Sequence, residues 1–263
     1  MNELMIWIST LAICTLRPLG VMLLLPLFSQ KSLGGILIRN ALVILIALPL
    51  LPVYKDLPML TSPKMIPFIE LMLREIFIGL CIGFSAAIPF WAIDIAGFVI
   101  DTMRGASMST VYNPLLGTQA SVFGILFSQV LTVLFLVTGG FNKLLNGIYG
   151  SYNNLPIGKN IELSKGFFIF LSHEWHLMFD LAISFALPAM VIMLMVDLAL
   201  GLINRSAQQL NVFFLSMPIK SAMAILLILL SLNFSFGHFL QRMNLFEHQV
   251  QNLILKMRGG VDG

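Results

Sequence analysis

Six long runs of apolar residues, separated by short polar or charged stretches, set the pattern of this chain. A run of about 20 apolar residues is long enough to cross the hydrocarbon core of a membrane as a helix. Lipid leaves only helices and closed barrels, and the period-two alternation of strands is absent, so we expect an all-α polytopic membrane protein with kinked helices and hairpins. The candidate segments are 4–30, 40–54, 76–93, 105–142, 181–204 and 221–241.

The composition supports a membrane protein and excludes several other classes. Of the 263 residues, 58% are hydrophobic and 10% are charged, against about 25% charged in an ordinary soluble domain. The mean hydropathy of +0.94 excludes a soluble enzyme and a disordered regulator. The chain has 15 basic and 12 acidic residues. The basic residues are spread too thinly along the chain to bind a nucleic-acid backbone. Cys14 and Cys81 lie in separate apolar runs, which indicates neither a disulfide framework nor a zinc site.

The distribution of basic residues gives an orientation. The first one, Arg17, lies inside the first apolar run, so the N-terminus does not have the basic head of a removable signal peptide. With six spans, five basic residues fall in the loops on one side and nine on the other, which favours cytoplasmic termini. The nine are Lys55, Lys64, Arg74, Lys143, Lys159, Lys165, Arg242, Lys256 and Arg258. Residues 142–176 are the one long polar excursion that we expect.

The third run combines small residues with a helix breaker. Gly79 and Gly83 form a GxxxG pair, which predicts a close approach by a neighbouring helix. Pro89 follows and predicts a kink, because proline removes a backbone hydrogen-bond donor from the helix.

Beyond Pro89, one helical face carries charge in an otherwise apolar stretch. Asp94, Asp101 and Arg104 fall at i, i+7 and i+10 on that face. Asp101 and Arg104 can pair at i, i+3, which in the simplest interpretation is a structural ion pair at a helix end. A charge at the membrane centre costs roughly 2.5–3.5 kcal/mol, so we expect this stripe to be buried against protein or water.

Two further charges interrupt apolar runs and join this buried polar stripe. Arg17 lies in the first run and Asp197 in the fifth. An arginine inside a membrane segment is by default a candidate functional residue. The alternative is a structural pairing of Arg17, for which Asp94 and Asp197 are the candidate partners.

Residues 106–121 contain no charge, yet small, polar and turn-forming residues are common among them. Irregular backbone at membrane depth is tolerated where it is buried in protein or lines a cavity. The stretch is therefore either an ordinary surface loop or a re-entrant loop that plugs a channel, and its lack of charge favours the plug. The candidate gate residues are Met108, Val111, Asn113, Pro114, Leu115, Leu116 and Gly117.

A polar turn between the last two apolar runs forms a predicted helical hairpin. Any hairpin needs a polar turn, but the concentration of amide side chains here exceeds that need and predicts hydrogen bonds to partner chains. The candidate interface residues are Arg205, Gln208, Gln209, Asn211 and Lys220.

Motifs of catalysis and of cofactor binding are absent from the sequence, including GxSxG, the P-loop and GxGxxG. His173, Glu174 and His176 lie in HEWH, which lacks the spacing of a HExxH zinc site. We therefore expect neither enzymatic activity nor a metal or cofactor.

Four stretches, in this order and spacing, resemble the SctT/SpaR/FliR family of type III secretion export-apparatus proteins. They read LRPLG, IRNALVILIALPLLP, PFWAIDIAGFVIDTMRG and INRSAQQLNVFFLSMPIKS. The last two are more similar to the virulence-injectisome branch than to the flagellar branch. One departure is Gln208, which stands where many relatives have proline and makes the turn less rigid.

The resemblance implies a non-enzymatic subunit of a helical, pseudo-hexameric export gate in the bacterial inner membrane, through which unfolded proteins pass. It implies an SctR-like part over residues 1–175, with the plug loop 106–121, and an SctS-like helical hairpin over 176–263. The implied partners are several SctR-type and SctS-type subunits, the SctU-type switch protein, the secreted proteins in transit and membrane lipid, with no nucleic acid.

Two other classes of function remain open at this point. One is a secondary transporter of small molecules or ions, with a substrate site at Arg17, Asp94 and Asp197. The other is a membrane-embedded enzyme, for which the sequence offers no nucleophile or metal constellation.

Overall fold

The computed structural model describes residues 2–28, 35–54, 65–106, 121–162, 164–206 and 211–258. The candidate gate residues between 107 and 120, together with Gln208 and Gln209, lie outside these ranges. Their predicted roles therefore rest on the flanking residues.

Eight α-helices account for most of the described residues, and two short 3₁₀ turns, Pro26–Phe28 and Leu48–Leu50, accompany the first three. The helices are α1 (Asn2–Leu24), α2 (Ile36–Ala47), α3 (Leu51–Tyr54), α4 (Met65–Met103), α5 (Val122–Val137), α6 (Gly140–Asn154), α7 (Lys165–Ser206) and α8 (Val212–Met257). The all-α prediction is confirmed.

Within the described residues, the apolar segments differ in whether each is long enough to span a membrane. Four stretches of the described residues are long and apolar enough to cross a membrane, and α5 with α6, bent by 71°, form a fifth broken span or a re-entrant loop. The sixth expected segment lies within α8, where the apolar part is shorter, Phe214–Leu230. The four stretches are Ile6–Leu24, Ile36–Tyr54, Phe68–Met103 and Lys165–Ser206.

The expected polar excursion at 142–176 is mostly helical. It is covered by α6 and the start of α7, and the non-helical connection between them turns at Gly158, which has a positive φ of 93°. Helix α6 is polar on average, yet it buries Leu144, Ile148 and Tyr152 on one face. In an amphipathic helix the polar face lowers the mean hydropathy although the other face is apolar, so the mean hydropathy of 142–176 did not indicate a helix.

The chain folds as two compact units. The first consists of residues 1–88, 136–175 and 243–263, and the second of residues 89–135 and 176–242. Helix α4 passes from the first unit to the second between Ile88 and Pro89. The first unit includes residues 243–263 as well as 1–88 and 136–175, and the predicted division at residue 175 into SctR-like and SctS-like parts stays a prediction.

In the first unit, α1 and α4 pack at a contact that leaves no room for a side chain. A Cβ on Gly79 would lie 2.3 Å from the Arg17 carbonyl oxygen, and one on Gly83 would lie 2.8 Å from the Val21 Cα. The facing Gly20 is equally close to the backbone of Ile76, at 2.8 Å. The close approach predicted from Gly79 and Gly83 is confirmed.

The second unit is built around aromatic rings and one further close contact. Phe185 packs edge-to-face on Phe127, with ring centroids 5.1 Å apart, and on Phe236 at 5.6 Å. Helices α4 and α5 meet where a Cβ on Gly97 would lie 2.2 Å from the Gly124 amide nitrogen. This contact fixes the start of α5 against the last turns of α4.

The glycine contact of the first unit yields a stability prediction. Gly79→Ala forces α1 away from α4, because the atom in its path is backbone, and such overpacking costs typically 1–3 kcal/mol. The measurement is the temperature at which the purified chain in detergent loses its monodisperse gel-filtration peak. Gly150→Ala in α6 is the matched control, since nothing lies within 4 Å of the position of its Cβ. Equal melting of the two variants would contradict the proposed constraint.

Candidate functional site

Two clusters of polar side chains lie inside the apolar units, one in each. The first surrounds Arg17 and the second surrounds Asp101. Each combines residues from more than one helix.

The Arg17 cluster is completely buried. The Arg17 side chain has 0% exposure and Glu75 has 1%. Arg17 Nε donates to Glu75 Oε2 at 2.9 Å, and Nη2 lies 2.8 Å from the same oxygen. Arg17 Nη1 donates to Ser151 Oγ at 2.9 Å, while Nη2 also donates to the Leu155 carbonyl at 3.1 Å. All three guanidinium nitrogens are therefore engaged within the chain.

An aromatic ring completes this cluster. The Tyr152 ring packs against the guanidinium, with Arg17 Cζ 4.0 Å from the ring centroid. The Tyr152 hydroxyl donates to the Cys14 carbonyl at 3.0 Å, one turn before Arg17 on α1. Arg17 thus joins α1, α4 and α6, and its partner is Glu75 and neither Asp94 nor Asp197, the two partners suggested from the sequence.

The Asp101 cluster begins where α4 ends. Gly105 has a positive φ of 86°, and the amides of Gly105 and Ala106 bond to the carbonyls of Thr102 and Asp101 at 3.1 and 3.0 Å. This pair of bonds is a Schellman motif, which terminates a helix at a glycine. Within this last turn Arg104 Nε donates to Asp101 Oδ1 at 2.7 Å, the i, i+3 pairing expected from the sequence.

The other oxygen of Asp101 caps the next helix. Asp101 Oδ2 accepts from the Ser121 hydroxyl at 2.7 Å and from the Phe123 amide at 3.1 Å. Ser121 Oγ in turn accepts from the Gly124 amide at 2.8 Å. A helix begins with unpaired amides and a partial positive charge, and both are satisfied here by one hydroxyl and one carboxylate. Residues 101 and 121 are thereby held together, with 107–120 between them.

A second ion pair lies at the same end of α4. Lys220 Nζ is 2.6 Å from Asp197 Oδ1 and also donates to the Met103 carbonyl at 3.4 Å. A cation beside the last carbonyls of a helix is favourable because the helix dipole is negative there. The structure thus brings Asp101, Arg104, Asp197 and Lys220, predicted as members of two different sites, to the end of α4.

Of the remaining predicted residues, the three that the structure describes, Asp94, Arg205 and Asn211, lie at the surface of the single chain. Asp94 is exposed, and its carboxylate lies beside Gly124, where a Cβ would be 2.6 Å from Oδ1. Arg205 and Asn211 are exposed on either side of residues 207–210. Their predicted contacts to partner chains stay predictions.

Sequence reasoning missed several members of the two clusters. Glu75 falls one residue before the predicted third run, although it stands one helical turn from Gly79, which indicates the same helix face. Ser121 carries the sequence signal of a helix N-cap, a serine directly before an apolar helix. Ser151 and Tyr152 have no such signal, because only the fold brings α6 to Arg17.

The bonds of the two clusters hold neighbouring helices and the ends of α4 and α5 in place. Within the described ranges, no set of three or more His, Cys, Asp or Glu residues is arranged to hold a metal ion. Of the HEWH residues, Glu174 is buried and accepts from the Ser85 hydroxyl at 3.2 Å.

The helices and clusters together define an all-α polytopic membrane protein in which Arg17, Glu75 and Asp101 are buried and bond between helices. Comparison with known families is consistent with an all-α membrane protein and identifies its family. The chain belongs to the bacterial export proteins, family 1, whose family model matches residues 8–246.

Individual relatives agree with the family assignment. The chain is 45% identical to the secretion system apparatus protein SsaT of Salmonella typhimurium, over 89% of this chain and 91% of the relative. It is 37% identical to the Yop proteins translocation protein T of Yersinia pestis, over 81% and 82%. Identity to the flagellar biosynthetic protein FliR of Bacillus subtilis is 29%, over 64% and 66%. The resemblance stated from the four motifs is confirmed.

The Arg17 cluster predicts a large difference between two Arg–Glu pairs of the same chain. Glu75→Leu leaves a buried guanidinium without its counter-ion, which costs about 3–5 kcal/mol of folding free energy. Glu70→Leu is the matched control, since Glu70 pairs with Arg74 at i, i+4 on the surface and such pairs contribute about 0.3–0.5 kcal/mol. Denaturant unfolding of both variants in detergent measures the difference. Similar unfolding midpoints for the two would contradict the structural role of Glu75.

Proposed function

We propose that this chain is a non-enzymatic subunit of a type III secretion export gate in the bacterial inner membrane, forming part of the channel for unfolded secreted proteins. The observation that carries the proposal is the match to bacterial export proteins over residues 8–246, together with 45% identity to a secretion system apparatus protein. The higher identity to the SsaT and Yop proteins than to the flagellar relative favours a virulence secretion system.

The proposed partners are SctR-type and SctS-type subunits, with the SctU-type switch protein beside them. Exposed residues on α7 and near its end support an assembly. Large apolar side chains such as Leu198 and Leu202 are 62% and 71% exposed, and Arg205 and Asn211 are exposed at the hairpin. Asp94, an exposed carboxylate on an apolar helix, is best accommodated by a polar group of a neighbouring subunit, because lipid would leave it unpaired.

We assign the gate to the segment 107–120, on the strength of its fixed ends. The segment has no charge, and it begins at the Schellman turn of α4 and ends at the capped start of α5. Because Asp101 bonds directly to Ser121, both ends are anchored to one point while the interior has no charged group to hydrate. These properties suit a plug that seals a pore against ions.

The alternative of a secondary transporter is less well supported. Its proposed substrate site needs a free guanidinium at Arg17, yet all three nitrogens of that group bond within the chain. Asp197, a second member of that site, is paired with Lys220. A substrate would have to break these ion pairs before it could bind.

Shortening the segment tests the plug. Deletion of residues 111–116 leaves both anchors intact, so we expect an assembled complex that leaks. The complex is expressed with its neighbouring subunits in cells that lack the rest of the machine, assembly is checked on native gels, and membrane potential and uptake of a small dye are measured. A deletion complex that assembles and is as ion-tight as wild type would show that the segment is only a connector.

Loss of the anchor has a different expected outcome. Asp101→Leu leaves Arg104 without its counter-ion and removes the cap of α5, at a cost of roughly 3–5 kcal/mol, so the amount of assembled complex on native gels falls steeply. Thr102→Val is the control, because the Thr102 hydroxyl is exposed and donates to the Phe98 carbonyl of its own helix. Wild-type levels of complex in the Asp101→Leu strain would refute the anchoring role.

A further inference from the structure

Five basic residues converge on one end of the first unit, around the connection between α6 and α7. They come from α4, from α7, from the end of α8 with the residue after it, and from the connection itself. The two acidic residues beside them, Glu70 and Glu162, leave a net charge of +3. The five are Arg74, Lys159, Lys165, Lys256 and Arg258.

Hydrogen bonds hold this cluster together. Arg74 Nη1 donates to the Lys159 carbonyl at 2.9 Å and to Asn160 Oδ1 at 3.0 Å. The Ser164 hydroxyl donates to the Lys256 carbonyl at 2.9 Å, and the Glu162 amide donates to the Met257 carbonyl at 2.9 Å. The connection is thereby fixed both to α4 and to the end of α8.

Exposed apolar side chains lie directly beside these charges. Leu73 precedes Arg74 and is 63% exposed, Ile169 lies one turn after Lys165 and is 65% exposed, and Leu255 precedes Lys256. Helices α4 and α7 are both candidate membrane spans. Basic groups beside an exposed apolar surface on membrane helices are the pattern of a boundary between headgroups and hydrocarbon, where long basic side chains extend toward the water.

We propose that this end of the first unit binds anionic phospholipid headgroups. Lys159, Lys165 and Arg258 are exposed and offer several donors to a phosphodiester, while the adjacent apolar side chains contact the acyl chains of the same lipid. A soluble anion would use only the charges, and a neutral phospholipid would use only the apolar surface. The combination fits a ligand that is amphipathic and negatively charged.

The test is lipid binding to the full chain purified in neutral detergent, followed by native mass spectrometry. The chain is titrated with phosphatidylglycerol or with phosphatidylcholine of the same acyl chains, and we expect tighter binding of phosphatidylglycerol. Each basic group near an anionic lipid surface contributes about a fivefold factor. The double variant Lys159→Gln/Lys165→Gln should therefore lower the affinity for phosphatidylglycerol roughly 25-fold and leave that for phosphatidylcholine unchanged.

A charge-matched control separates a site from overall charge. Arg39→Gln/Lys143→Gln removes the same charge from the first unit, and Lys143 lies in the first turn of α6, at the opposite end of that helix from the connection. This variant should keep the wild-type preference. Equal affinity of the wild-type chain for the two lipids would overturn the proposal, and that measurement needs no variant to fold. An equal loss in both double variants, or displacement of the lipid by millimolar inorganic phosphate, would overturn it as well.

Discussion

The burial of one guanidinium constrains the first unit more than any other interaction. Arg17 has no exposure, and an ionised group removed from water must be paired and hydrogen-bonded, or the penalty reaches several kcal/mol. Glu75 on α4, together with Ser151 and the Leu155 carbonyl at the end of α6, meets that requirement. The geometry is possible only because Gly79 lets the α4 backbone approach the Arg17 carbonyl. Sliding α1 along α4 by one residue would break the ion pair and the glycine contact together.

In the second unit the buried charge that must be paired and hydrogen-bonded is a carboxylate, that of Asp101. Asp101 is nearly buried and divides its two oxygens between Arg104, in its own helix, and the start of α5. One side chain therefore satisfies a cation and the unpaired amide of Phe123 at once. The Gly97–Gly124 contact places the α5 backbone near enough for this. In each unit a glycine contact sets the distance between two helices, and a charged side chain then fixes their register.

The close helix contact of the first unit and the ion pair of the second could be predicted from local sequence. Gly79 and Gly83 predict a close helix contact, and the spacing of Asp101 and Arg104 predicts their pairing, because both features depend on one helix alone. The partner of Arg17 could not be predicted, since it depends on which helices become neighbours, and one sequence does not contain that information. Helix α6 was missed for another reason: Lys143 and several amides lower its mean hydropathy, while its buried face is apolar. The sixth apolar segment lies within a longer, partly polar helix, α8, whose apolar part among the described residues is Phe214–Leu230.

The placement of the charges bears on how a gate of the proposed kind would open. Separating α4 from α5 would expose Asp101 and Arg104 and leave the Phe123 amide unpaired, so helix separation carries a large free-energy cost. A rearrangement confined to residues 107–120 breaks none of the contacts among the described residues. The hydrogen bond between Ser121 and Asp101 joins the end of α4 to the start of α5, and a separation of the two helices would break it. An opening of the proposed gate that keeps α4 and α5 in contact therefore avoids that free-energy cost.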